Sequence, residues 1–184
     1  MNVLIIALGT TAVDIFARSG NPTRILHLQS LYDSYPYGWR HSWTGYTVYD
    51  AAGLMLRFLK SLPESVIPPA HYEGFRTTLE PFASSGSGLD KAQEKECASR
   101  AEELCAGLPL VNRALLFYIL DLTAVFSCRS AVNGMTAERL AAAFQPSLLS
   151  GPPNVMDAEA HNAAIEIIAL LIRLKDSLRF SRHP

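Results

Sequence analysis

Five histidines and three cysteines are the side chains in this sequence best able to ligate a metal or to act as base and nucleophile. Their spacing supports neither role. His27, His41, His71, His161 and His183 are scattered, with no pair at ligand spacing. Cys97, Cys105 and Cys128 form no CxxC pair, and their odd number argues against a disulfide framework. They read as buried thiols of a reducing compartment. The sequence has no GxxxxGK[ST] loop, no GxGxxG after a strand, no HExxH and no GxSxG elbow. Ser, His and Asp occur in any chain of this size, so their presence alone defines no triad. The spacings offer no metal site, no cofactor site and no self-contained enzyme.

Charge does not supply a function in bulk either. Sixteen basic residues stand against 17 acidic ones, a net charge of −1, so wholesale capture of nucleic acid or of an anionic membrane is not expected. A local basic patch is compatible with that balance. With 49% apolar and 18% charged residues the composition is globular rather than disordered. A length of 184 residues suits one domain with a sizeable core. Residues 1–8 are apolar but lack a basic n-region. No stretch approaches the roughly 20 apolar residues of a membrane-spanning helix. The expectation is a packed first helix, no integral membrane segment and a cytoplasmic location.

The elements that must position any functional residue read as helices. Residues 3–16 are apolar and start as helix. Asn21-Pro22 pairs a cap residue with a proline suited to a first turn, and Ile25, Leu28 and Leu31 follow at helical spacing over 22–33. Residues 34–46 read as a loop. Thr47-x-x-Asp50 resembles a capping box and opens a helix through Leu54, Phe58, Leu59 and Leu62 that stops at Pro63. Pro68-Pro69 open a short helix through Tyr72, Phe75 and Leu79. Residues 83–88 are a polar loop, and 89–106 a charged, largely solvated helix. After Pro109, Val111, Leu115, Tyr118, Leu122 and Phe126 recur every three to four residues, broadened by Leu116, Ile119 and Val125. Thr136 caps a helix to Phe144 that Pro146 ends. Asp157 opens the last, with Ala164, Ile168, Leu171 and Lys175 on one face. No period-2 strand pattern appears. The fold class is all-α, a single domain of about seven to nine helices.

Five stretches in order resemble one family, the Rho GTPase-activating (RhoGAP) domains, and in particular their fungal-type subgroup. Ile15-Phe16-Ala17-Arg18-Ser19-Gly20 resembles the family loop G-I-F-R-x-S-G. Trp43-Thr-Gly-Tyr-Thr-Val-Tyr49-Asp50 resembles W-T-G-Y-T-V-H-D, and Leu62-Pro63-Glu64-Ser-Val-Ile-Pro68 resembles L-P-E-P-V-I-P. Leu108-Pro109-x-x-Asn112-Arg113-x-Leu115-Leu116 resembles L-P-x-x-N-R-x-L-L. Asn133-x-Met135-Thr136, then Leu140-Ala141-x-x-Phe144-x-Pro146-x-Leu148, resembles N-x-M-T and L-A-x-x-F-x-P-x-L. The match runs from about residue 12 to 175. The opening before the loop is short for the family, so the chain reads as a domain of residues 1–180, truncated at its N-terminus, with 181–184 as a tail.

The resemblance implies a regulator that acts in trans on GTP bound to a Rho-type small GTPase, not an enzyme in its own right. Such domains insert an arginine that neutralises charge on the transferring γ-phosphoryl group, a contribution of about 10³–10⁵ in rate, or roughly 4–7 kcal/mol. Guanidinium suits the task because it is always charged and presents a rigid fork of donors. Here the finger position is Ala17, which has neither donor nor charge. Arg18, next along, is either a displaced finger or a solvated loop arginine. The family's basic position seven residues before Pro63 is Leu56, with Arg57 adjacent, while Lys60 matches a second basic position. Arg139 stands where the family usually has asparagine. The resemblance thus places Ala17, Arg57, Lys60 and Arg139 on the face toward the partner, either as a basic docking surface or as ordinary solvated helix charges. It implies impaired catalysis unless Arg18 compensates; the alternative is an inactive GTPase-binding or scaffolding module. Trp43 is read as core, and Gly20 as permitting a tight turn.

Overall fold

The computed structural model describes residues 9–39, 41–85, 88–152 and 155–178. Among them are eight helices: α1 (Pro22–Asp33), α2 (Val48–Lys60), α3 (Pro69–Ala83), α4 (Lys91–Ala106), α5 (Leu110–Ser127), α6 (Ser130–Asn133), α7 (Ala137–Leu148) and α8 (Ala158–Leu174). The caps form where the sequence provides them. Asn21 accepts from Arg24 N–H at the start of α1, and Asp157 accepts from Ala160 N–H at the start of α8. Thr47 and Asp50 close a reciprocal capping box on α2, as Asp90 and Gln93 do on α4.

α8 is the axis of the domain. Ala163, Ala164, Ile167, Ile168, Ala169, Leu170, Leu171, Ile172 and Leu174 are all buried along it, which is more than one face. A helix apolar on nearly every side needs neighbours all round; α3, α5 and α7 pack against it. α1 pairs with α2, which leans on α7.

Two motifs lock this arrangement. The segment between α2 and α3 runs beside the end of α7, with Val66 N–H donating to Ser147 O (2.9 Å) and Ile67 N–H to Leu148 O (2.8 Å). The side chain of Asn112 donates to Val66 O (3.0 Å), tying α5 to the same segment. Asn133, fully buried, donates to Thr10 O and to Phe126 O, both at 3.0 Å. Asn112 thereby satisfies the carbonyl of the buried Val66, and Asn133 uses both of its amide hydrogens to join the residue 10–20 loop to the end of α5.

Several expectations need correction. Residues 10–17 form successive turns rather than a continuing helix; positions 3–8 of the expected first helix, and the tail at 181–184, lie outside the described residues. α7 runs through Pro146 to Leu148, and α3 through Pro81 to Ala83. A proline in a helix forfeits the bond to the carbonyl four residues back. Here those carbonyls belong to Ala142 and Thr77, both exposed residues that water can satisfy. The buried face of α5 is Leu116, Ile119, Leu120, Leu122, Thr123 and Phe126. Val111 is 77% exposed and Val125 is also exposed, so the stripe sits about one residue off the expected phase. α5 is also long and apolar enough, by length and composition, to cross a membrane, contrary to expectation; Leu116, Ile119, Leu120, Leu122 and Phe126 on one side of it belong to the core, while Leu110, Val111 and Val125 are exposed. Cys97 and Cys105 are buried as expected, but Cys128 is exposed. Gly20 serves close approach rather than a turn, since a Cβ there would lie 2.7 Å from the α2 backbone at Tyr49 and Asp50.

Candidate functional site

The loop between residues 10 and 20 holds a shape its own sequence does not favour. Asp14 (φ 57°) and Phe16 (φ 67°) both sit in the left-handed region. Aspartate tolerates that conformation; for a bulky side chain it costs roughly 1–2 kcal/mol. Burial offsets the cost. The Phe16 ring packs edge-on against Phe126 (centroids 5.1 Å apart) and Phe144 (4.9 Å), and Ile15 beside it is fully buried. Asp14 N–H donates to Asn133 O (2.8 Å), while Asp14 O accepts from Ala17 N–H (3.0 Å) and Arg18 N–H (2.7 Å). With Ile15 and Phe16 turned inward, Ala17, Arg18 and Ser19 are turned out and exposed.

The exit of the loop is fixed by a buried carboxylate. Asp50, fully buried at the third position of α2, accepts from Asn21 N–H (2.7 Å), Arg24 Nε (2.8 Å), Thr47 N–H (2.8 Å) and Thr47 Oγ1 (2.9 Å). Burial alone would raise its pKa. The hydrogen bonds from Arg24, Thr47 and Asn21 outweigh it and hold the carboxyl below its usual range. One side chain thus joins the starts of α1 and α2 directly behind Gly20.

Between the loop, α1 and α2 lies a groove of about 540 Å³. Arg18, Arg57 and Lys60 line it without any carboxylate, over a floor that includes Phe16, Ile25, Leu26 and Leu56. Arg57 Nε donates to Gln29 Oε1 across the groove. Arg18 lies with its guanidinium carbon 4.9 Å from the centroid of the Tyr49 ring, and the Tyr49 hydroxyl donates to Val13 O (3.0 Å). Arg139 is not among the lining residues. It approaches the loop from α7, where Nη1 meets Asp14 Oδ1 (2.6 Å) and Gly134 O (2.7 Å).

Of the five residues singled out from sequence, Ala17 is at the loop tip, Arg18, Arg57 and Lys60 share the groove, and Arg139 grips the loop's inner side. Trp43 is partly buried against the core within a ring of Tyr32, His41 and Tyr46. Sequence reasoning missed Tyr49, Asp14 and Arg24. The capping box at Thr47-Asp50 was visible, but its further reach to Asn21 and Arg24, 26 or more residues away, was not. No cluster of three or more His, Cys, Asp or Glu occurs among the described residues.

Fold and site define an all-helical domain presenting a pinned loop beside a cation-lined groove. A family model described as RhoGAP domain matches residues 3–153. The chain belongs to the RhoGAP domain family. It is 38% identical over 169 residues to Rho-GTPase-activating protein 5 of Schizosaccharomyces pombe, covering 91% of this chain and 45% of that protein. It is 33% identical over 168 residues to Rho-GTPase-activating protein BAG7 of Saccharomyces cerevisiae, covering 90% of this chain and 39% of that protein. The chain therefore spans less than half the length of either relative. Among solved structures, human Rho GTPase activating protein 15 matches with a TM-score of 0.75 at 19% identity, over 92% of this chain and 76% of that one. The BH domain from GRAF, the GTPase regulator associated with focal adhesion kinase, matches at 0.74, also at 19% identity, over 95% of this chain and 87% of that one. These two speak for the fold.

Proposed function

We propose that this domain docks on a GTP-loaded Rho-type small GTPase in the cytoplasm, acts as its GTPase-activating regulator, and does so with impaired catalysis. The observation that carries the reading is the loop. Phe16 is anchored between Phe126 and Phe144, so the residue after it is presented outward at a fixed place, and that residue is Ala17. Alanine cannot neutralise charge on a transferring phosphoryl group. The presentation is retained and the reagent is absent. Arg18, Arg57 and Lys60 give the adjoining groove a positive character suited to an acidic partner surface. Family membership and the two fungal relatives support the partner class.

The test is single-turnover GTP hydrolysis by a panel of Rho-type GTPases, with saturating domain and with Arg18→Ala. Weak acceleration that Arg18→Ala abolishes makes Arg18 a displaced finger. A second reading, an inactive module that sequesters the GTP state, rests on Ala17 together with the engagement of Arg18 by Tyr49. It predicts binding without acceleration. Absence of both binding and acceleration across the panel overturns the docking proposal.

A further inference from the structure

Tyr49 touches the loop at three points. Its hydroxyl donates to Val13 O at the entry (3.0 Å). Its ring face carries the Arg18 guanidinium just past the tip, 4.9 Å from carbon to centroid. Its backbone backs the exit at Gly20, where no Cβ fits. Arg18 is therefore not a loose cation. Its amide is bonded back to Asp14 O (2.7 Å) and its head lies along α2, in the groove it shares with Arg57 and Lys60.

We infer that Tyr49 is a positioning residue that parks Arg18 against α2, away from the tip at Ala17, so that Arg18 must leave the Tyr49 ring before it can act as a surrogate finger. Attraction between a cation and an exposed aromatic face is weak, a bias of about 2- to 5-fold in population. Parking at that strength is reversible. It lowers the fraction of domain with an available guanidinium without removing it, and a docked phosphoryl group, being a far stronger attractor for guanidinium, reverses it. The parking itself is a property of the free domain; its effect on hydrolysis rests on the docking reading above.

The test has two parts so that the two readings fail separately. In the free, isotope-labelled domain, the Arg18 δ-methylene and Nε–H resonances are expected upfield of ordinary arginine values through the Tyr49 ring current. The shift persists in Tyr49→Phe, which keeps the ring and loses only the Val13 bond, and vanishes in Tyr49→Leu. Ordinary shifts in the parent domain, or shifts unaltered in Tyr49→Leu, overturn the inference. In single-turnover hydrolysis, Tyr49→Leu is expected to raise the Arg18-dependent rate about 2- to 5-fold, more than Tyr49→Phe does, and to have no such effect in an Arg18→Ala background. An equal change in both backgrounds would mean that Tyr49 is only structural. If no variant, Ala17→Arg included, either binds or accelerates any GTPase, the docking reading fails, and the resonance shifts alone decide the parking.

Discussion

Arg139 Nη1 lies 2.6 Å from Asp14 Oδ1 and 2.7 Å from Gly134 O, so a cation on α7 holds a carboxylate on the loop and the carbonyl that closes α6. Both side chains of the ion pair are nearly half exposed. Pairs of that kind contribute about 0.2–1 kcal/mol and weaken with salt.

Replacing Arg139 with alanine should therefore cost less than about 1 kcal/mol of global stability. Its local effect is expected to be larger. The Ala17 and Arg18 amides both donate to Asp14 O, and they should exchange with solvent up to about 5-fold faster in Arg139→Ala. High salt should move the parent domain the same way. Unchanged amide exchange would show that the loop is held without this contact.

Ala17→Arg, which puts an arginine at the proposed finger position, should leave the thermal midpoint nearly unchanged, because position 17 is exposed and surface substitutions usually stay within about 0.5 kcal/mol. It should raise single-turnover GTP hydrolysis at saturating domain by at least about tenfold, a fraction of the finger's full effect. A stable variant with no gain would mean that the loop tip does not reach the nucleotide.

Asp50→Ala removes the shared acceptor of Asn21 N–H, Thr47 N–H and Arg24, and should cost about 2–4 kcal/mol in denaturant unfolding. Arg24→Ala should cost less, because Asp50 then keeps the bonds from Asn21 N–H, Thr47 N–H and Thr47 Oγ1. The pH dependence follows from the lowered folded-state pKa. The contribution of Asp50 is fully present above its unfolded value of about 3.9 and is lost as pH falls through the lower folded value. Asp50→Asn should flatten that acid limb. An identical acid limb in parent and variant would assign acid unfolding to other carboxyls.

Thiol accessibility should separate the three cysteines. Burial pushes the Cys97 thiol up to about 11 and Cys105 up to about 12, whereas Cys128 is exposed. Near neutral pH a disulfide reagent should titrate one thiol quickly in the folded domain and the other two only on unfolding. Fast reaction of two or more would mean that α4 opens readily.

The helices and their caps were legible because their signals are local. Asn21, Thr47 with Asp50, Thr136 and Asp157 cap where they stand. The phase of α5 was harder to read, since apolar residues occupy most of its circumference and only the neighbours decide which face is covered. Pro146 misled for a related reason. The bond a helical proline forfeits costs least where the freed carbonyl belongs to an exposed residue, as it does at Ala142 for Pro146. The loop residues followed from family likeness, but its geometry did not. Nothing in the sequence near Asp14 announces Arg139, and nothing near Arg18 announces Tyr49, because those contacts exist only once α2 and α7 have packed.

Ala17 shows what the shape of the loop does not depend on. Its turns are specified by Asp14, Phe16, Gly20 and Asn133, and the core they engage reads none of the chemistry at position 17. Folding therefore cannot police that position. A lineage can lose an arginine there, or regain one, by change at a single codon while the domain continues to fold and to be inherited as a sound module. If the domain docks as proposed, only selection acting on the partner's nucleotide cycle can hold a residue at that position, so the architecture is able to outlast the chemistry it presents.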